Sequence, residues 1–224
     1  SPRDPLVEAM GLAEGIAILR GRLLDWFSRY GRRFPWRGEV GWYGIMVAEF
    51  MLVRTRSEAA ERVFGEFMGR FPEPGELCSS DIASVELFFA KLGLPSRARR
   101  LVDAVCTVLN AYGSSPPCDY DRLVELPGVG GYIARVLLSR VCGNHVAFVD
   151  SNVLRVLRRF AGVDLGTREA AKALEEALGG EELPRVNVAL IDLGSLVCKP
   201  RRPLCPGCPL EAGCSYARGG REGA

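Results

Sequence analysis

Four cysteines lie within seventeen residues near the C-terminal end of the sequence, Cys198, Cys205, Cys208 and Cys214, spaced C-x6-C-x2-C-x5-C. Disulfide-rich secreted chains spread their cysteines more evenly, so this cluster points to metal ligation. On chemical grounds alone, four such thiolates suit either a zinc ion or an iron–sulfur cluster. Cys78, Cys106, Cys118 and Cys142 stand singly in apolar helical stretches and read as small buried apolar residues. A second pattern is LVELPGVGGYIARVLLSRVCG, in which Leu126-Pro127-Gly128-Val129-Gly130 joins two apolar helices. Gly128 and Gly130 allow positive φ and close backbone approach, with Val129 turned inward. The amides that open the following helix can hold a phosphate, a contact that positions a nucleic acid without reading its sequence.

A third pattern is HVAFVDSNVLRVLRRF. Asp150 stands between the apolar stretch Val146–Val149 and an amphipathic helix, where the plainest role is an N-cap. The chain returns from the hairpin helix, however, and would bring this carboxylate toward a bound polyanion. Such a placement is costly unless chemistry needs it. Cleavage of an N-glycosidic bond does, because its transition state carries positive charge on the sugar. Glu49 is a lone acid among apolar residues in GIMVAEFML. Burial would raise its pKa and suit it to donate a proton or to hydrogen-bond an extruded base, the plain alternative being a surface glutamate.

The elements that must position these groups are helices. Apolar residues recur with helical period over Gly15–Tyr30, Tyr43–Phe71, Asp81–Lys91, Ser96–Tyr112, Asp119–Glu125, Gly130–Val141, Asp150–Phe160, Thr167–Leu178 and Pro184–Val197. The second is too long for one helix, and a turn is expected near Arg54–Ser57. Pro72 and Pro74 read as its stop, Asp150 and Thr167 as N-caps, and Gly93, Gly113 and Gly179 as residues past helix ends. Strand alternation is almost absent, so the fold class is all-α.

Composition sets the surroundings. The 224 residues are 48% hydrophobic, ample for a core. No signal peptide or bilayer-length apolar run is found, so a soluble, intracellular (cytoplasmic) protein is expected. The net charge is +2, but of 29 basic residues only Lys91, Lys172 and Lys199 are lysine, which leaves 26 arginines. They gather at Arg29–Arg37, Arg54–Arg62, Arg97–Arg100, Arg155–Arg159 and Arg201–Arg202. Arginine suits bidentate phosphate contacts, and a solvated mixed-charge surface is the alternative. His145, the only histidine, reads as a loop residue rather than a catalyst.

LPGVGGY…VDSNVLRV, together with the cysteine spacing, resembles the endonuclease III superfamily of DNA glycosylases from about Leu23 to Cys214. The resemblance implies a two-domain helix–hairpin–helix glycosylase fold. A six-helix barrel domain would span residues 34–144. A discontinuous helical domain of residues 1–33 and 145–224 would carry a [4Fe–4S] cluster on Cys198, Cys205, Cys208 and Cys214, and double-stranded DNA would lie in the groove between the two. Asp150 would stabilise the sugar cation and activate water. Strand-cutting members carry a lysine where this chain has Tyr132, and a phenol cannot form their imine. The chain is thus expected to be a monofunctional glycosylase without strong lyase activity.

Further roles also rest on the resemblance. Glu49 and Tyr132 would line the base pocket. Arg54 would fill the gap left by the flipped base, and Leu94 would wedge beside the orphaned partner. Leu126, Gly128, Val129 and Gly130 would bind backbone phosphate, with a monovalent cation on the hairpin carbonyls, while Arg201 and Arg202 would present charge to DNA from the cysteine loop. Tyr132, the Val53-Arg54 pair and an end ten residues past Cys214 resemble mismatch thymine/uracil glycosylases more than MutY-type adenine glycosylases. The implied function is base excision repair of thymine or uracil mispaired with guanine, by a monomer. The alternatives are an adenine glycosylase lacking its recognition domain, an endonuclease III-like lyase, and a non-catalytic mismatch-binding protein.

Overall fold

The computed structural model describes residues 11–219. The first ten residues, part of the stretch expected to carry no export signal, and the last five lie outside the described residues. Regular structure among those described is helical throughout, with no strand. None of these helices is long and apolar enough to cross a membrane. The chain divides into two compact units, one of Arg33–Cys142 and the other of the residues up to Arg32 with those from Gly143 onward.

The Arg33–Cys142 unit is built around α2 (Gly41–Leu52), whose residues Tyr43 to Met51 are all buried. Apolar on nearly every side, α2 must be surrounded. It packs against α3 (Ser57–Arg70), α6 (Ser96–Tyr112), α8 (Gly131–Arg140) and a 3-10 turn, Pro35–Arg37. Phe67, Phe71, Phe88 and Phe89 form an aromatic cluster at one side. The expected long second element is two helices, broken after Leu52 where Arg54 takes φ +58°. Pro74 does not act as a stop. It opens α4 (Pro74–Cys78), because proline in the first turn forfeits no helical hydrogen bond. α5 (Ile82–Ala90) and α7 (Tyr120–Val124) complete the unit.

The four scattered cysteines are not isolated apolar residues, which corrects the sequence expectation. Cys78 pairs with Cys106, and Cys118 with Cys142, at Cα–Cα separations of 5.6 and 5.7 Å. The first bond ties α4 to α6. The second brackets the α7–hairpin–α8 module, from just before the Asp119 cap to just beyond α8. Helix packing brings each pair together from 28 and 24 residues apart, so no local pattern announces them.

The second unit packs α1 (Leu12–Tyr30), α9 (Ser151–Ala161), α10 (Thr167–Ala177) and α11 (Glu182–Leu196) around Leu19, Leu23, Val153, Leu157, Leu174, Leu190 and Leu193. Gly194 permits close contact of α11 with α9, since a Cβ there would sit 2.6 Å from the Asn152 Cβ. Asp192, fully buried, accepts from the Arg32 backbone N–H at 2.7 Å and from its guanidinium Nε and Nη2 at 2.8 Å. A buried charge is tolerated when hydrogen-bonded in this way. Thr167 is the first residue of α10 and not its cap; Gly166 occupies the cap position, without a side-chain bond.

Candidate functional site

Asp150 is held from both sides. Before it, Ala147, Phe148 and Val149 are buried. With no neighbouring strand, the backbone here is satisfied by side chains: Asn187 accepts from Phe148 N–H at 2.9 Å and donates to its carbonyl at 2.6 Å. Glu175 accepts from Ala147 N–H at 2.8 Å. His145 lies in this loop, its ring 2.8 Å from the Glu175 carbonyl. After it, α9 begins, and Asp150 is its N-cap. One carboxylate oxygen accepts from Val153 N–H at 2.8 Å, the other from the Asn152 amide at 2.9 Å.

Asn152 in turn accepts from Arg155 at 2.7 Å, and Arg155 donates to the carbonyls of Gly194 and Cys198 at 2.8 and 2.9 Å. One hydrogen-bonded chain therefore runs from Asp150 to the cysteine segment. Burial lowers the Arg155 pKa, and Cys198 and Asp150 oppose that shift. Neither Asn152 nor Asn187 was singled out from the sequence, and Arg155 was read only as part of an arginine cluster. Their only local signal is the polar spacing after Asp150 in DSNVLR.

One turn on from Arg155, Arg159 donates to the Lys199 and Pro200 carbonyls at 2.7 Å and to the Cys198 sulfur at 3.4 Å, and its guanidinium lies 4.8 Å from the Tyr216 ring centre. The loop bearing Arg201 and Arg202 is thereby pinned at its base, with both arginines exposed. Cys198, Cys205, Cys208 and Cys214 border one pocket with Val197, Pro203 and Tyr216. Desolvation pushes the Cys208 thiol up to about 12, and Cys214 also rises, mainly through burial. Among the described residues, no three His, Cys, Asp or Glu side chains converge closely enough to hold a metal ion. The donor set nevertheless suits a thiophilic centre: four sulfurs, an apolar wall and an N–H donor at one sulfur.

In the other unit, Leu126 and Val129 are buried beneath the hairpin while Gly128 and Gly130 are exposed. Gly128 has φ +76°, and a Cβ there would meet the Phe50 ring at 2.9 Å and the Arg100 Cβ at 3.0 Å. Gly130 does not use positive φ, contrary to expectation; at φ −88° it is the extended N-cap of α8. Burial, followed by the charges of Arg100 and Arg54, lowers the Arg97 pKa. Arg54, Arg97 and Arg100 therefore make a cationic cluster that reaches the hairpin through Arg100. Leu94 is half-buried, its N–H bonded to the Phe89 carbonyl at 2.9 Å.

Glu49 is buried at 7% exposure, and Tyr132 is half-buried in the first turn of α8. Both act on Arg140, a residue the sequence reading passed over. Its guanidinium donates to the Trp36 carbonyl at 2.8 Å.

Residues 47–179 match the family described as HhH-GPD superfamily base excision DNA repair protein. The chain is 33% identical over 211 residues to the thymine-DNA glycosylase of Aeropyrum pernix, covering 90% of this chain and 95% of that one. It is 36% identical over 197 residues to the adenine DNA glycosylase of Mycobacterium tuberculosis, covering 84% of this chain but 64% of that protein's length. A thermostable thymine-DNA glycosylase shares the fold with a TM-score of 0.83 at 24% identity, over 92% of this chain and 98% of that one. An endonuclease III–DNA complex does so at 0.76 and 23%, over 94% and 98%. A glycine hairpin beside clustered arginines, an aspartate capping the helix that follows, and relatives matched over most of the chain agree: the protein belongs to the HhH-GPD superfamily of base excision DNA repair proteins.

Proposed function

We propose that the protein is a monofunctional DNA glycosylase that extrudes thymine or uracil mispaired with guanine and hydrolyses its N-glycosidic bond. The observation that carries this reading is the rigid presentation of Asp150, whose carboxylate is oriented by Val153 and Asn152. As the base departs with the bonding electrons, positive charge builds on the sugar, and a carboxylate fixed beforehand stabilises it without reorganisation. Water then bonds to the sugar carbon and loses its proton, leaving an abasic site and a free base. Glu49 and Tyr132 line the base pocket, and the hairpin amides with Leu126 to Gly130 hold a backbone phosphate. Arg54 and Leu94 occupy the space beside the flipped nucleotide, and Arg201 and Arg202 add phosphate contacts. The thymine-DNA glycosylase relative supports the pyrimidine reading. The 36% identity to an adenine glycosylase favours a second reading, adenine excision.

Single-turnover assays on duplexes carrying G·T, G·U, A·G and oxidised pyrimidines test both. The expected products are strand breaks at G·T and G·U that appear only after alkali. Release of adenine alone would replace the first reading with the second, and breaks without alkali would reveal a lyase.

Cys198, Cys205, Cys208 and Cys214 are proposed to hold a [4Fe–4S] cluster, which when bound cross-links the loop that carries Arg201 and Arg202. The protein should purify yellow-brown with about four irons per chain. Cys205→Ser should lose the colour and lower the melting temperature, because ligation and folding are coupled. Colourless protein holding one zinc would overturn the assignment.

Arg54 offers a test that separates function from stability. Its φ of +58° is costly for a residue with a Cβ. Arg54→Gly should leave the fold as stable as wild type or up to about 1 kcal/mol more so. Binding to mismatched duplex should weaken more than binding to matched duplex. Arg201→Ala should instead weaken both equally and reduce the salt slope by roughly one.

A further inference from the structure

Tyr120 opens α7, the helix before the hairpin, and α7 packs on α8, the helix after it. The residue is 43% exposed, and among the described residues its hydroxyl has no hydrogen-bond partner. That hydroxyl lies against Gly131, the first residue of α8, where a Cβ would be 2.7 Å from the oxygen. Glycine is therefore what leaves room for it. We propose that Tyr120 is a DNA-backbone contact, its hydroxyl donating a hydrogen bond to the phosphate that the hairpin holds at the start of α8. The inference rests on the reading in which the hairpin binds a phosphate, and it adds to that site a side chain from outside the hairpin.

The ring is placed before any DNA arrives. Asp119 caps α7 by accepting from Arg122 N–H at 3.0 Å, which fixes where the helix, and with it Tyr120, begins. Cys118 stands just before that cap and Cys142 just past α8, so their bridge ties the start of one helix to the end of the other. Leu123 and Leu126, both buried, anchor the chain between Tyr120 and the hairpin glycines. A donor held in advance loses little conformational freedom on binding, so more of its hydrogen bond appears as affinity.

The chemistry of the position suits an anion. Gly130, the N-cap of α8, offers no side-chain hydrogen bond to the amides that follow it. A carboxylate beside those amides would occupy them and repel a phosphate. A neutral phenol donates to an anionic oxygen without that repulsion. Tyrosine hydroxyls also contact phosphates without reading the bases, so Tyr120 adds affinity and register rather than a choice of mispair.

The test uses Tyr120→Phe in the full chain, which deletes one oxygen and keeps the ring. Binding to matched and mismatched duplexes should weaken equally, by about fivefold, for the loss of one charge-assisted hydrogen bond at an exposed site. The salt slope should not change, because no cation is lost, in contrast to Arg201→Ala. The melting temperature should stay within about 1 °C of wild type, since the hydroxyl bonds nothing in the free protein. Duplexes carrying one neutral methylphosphonate at a time then identify the phosphate. Wild type should lose about tenfold or more at one position, and on that duplex Tyr120→Phe should match it within about twofold, because the shared partner is already gone. A Tyr120→Phe affinity within about twofold of wild type on unmodified duplex, or a deficit that persists undiminished on the sensitive one, would overturn the contact and leave the hairpin reading intact. Wild-type binding indifferent to every methylphosphonate would overturn both.

Discussion

Asp150→Asn should lower single-turnover excision by about 10²-fold or more, the scale of losing one preorganised electrostatic group. That corresponds to about 2.7 kcal/mol or more of transition-state stabilisation. The cost in folding should be smaller. Asparagine keeps an oxygen for Val153 N–H and remains a good N-cap. Its amide nitrogen, however, would meet the amide nitrogen of Asn152, donor against donor, because the Asn152 oxygen is committed to Arg155. One lost hydrogen bond costs about 1 kcal/mol. Thermal melts and excision rates on the same preparation separate the two losses. Binding to a mismatched duplex should be preserved or tightened, since the carboxylate repels phosphates in the ground state. Excision by Asp150→Asn within about threefold of wild type would remove Asp150 from the chemistry and revive the non-catalytic mismatch-binding reading.

Tyr132→Lys should confer strand cleavage, an activity expected to be weak or absent in the wild type. Strand-cutting members of the resembled family carry lysine at this position, just beyond the hairpin. The substitution falls in the first turn of α8 at a half-buried site, where an amine on a flexible stem can be accommodated. The variant should cut the strand without alkali and yield a covalent DNA adduct on borohydride treatment, the mark of an imine. Wild type should give little or none under the same conditions. Strong trapping by wild type would mean that another amine is the nucleophile, and the monofunctional assignment would fail while Asp150 kept its role.

What could be read from the chain in advance was local geometry set by a continuous stretch. The hairpin between two helices and the Asp150 cap are each contained within a few residues, so they follow from turn and cap rules. Helix boundaries came close for the same reason; Ser96–Tyr112 matches α6 at both ends. Errors arose where one residue type serves two purposes. Pro74 opens a helix as readily as proline closes one, and Gly130 is required at a cap rather than for positive φ. The supporting partners were illegible because they depend on contacts far apart in sequence. Asn187 reaches Phe148 across 39 residues, Arg155 reaches Cys198 across 43, and Arg140 reaches Trp36 across 104. Each is an ordinary polar residue on a helix until packing gives it a task.

The two cystine bridges both belong to the Arg33–Cys142 unit, whereas the four free thiols all belong to the other. Closing loops of 28 and 24 residues, each bridge removes about 3.5 kcal/mol of freedom from the unfolded chain. Dithiothreitol would open them and soften the half that contains the hairpin, while shielding the other half's sulfurs from peroxide and air. An oxidising buffer would do the reverse. The molecule thus carries opposed redox demands in one polypeptide: bridges that reduction opens and thiols that oxidation consumes.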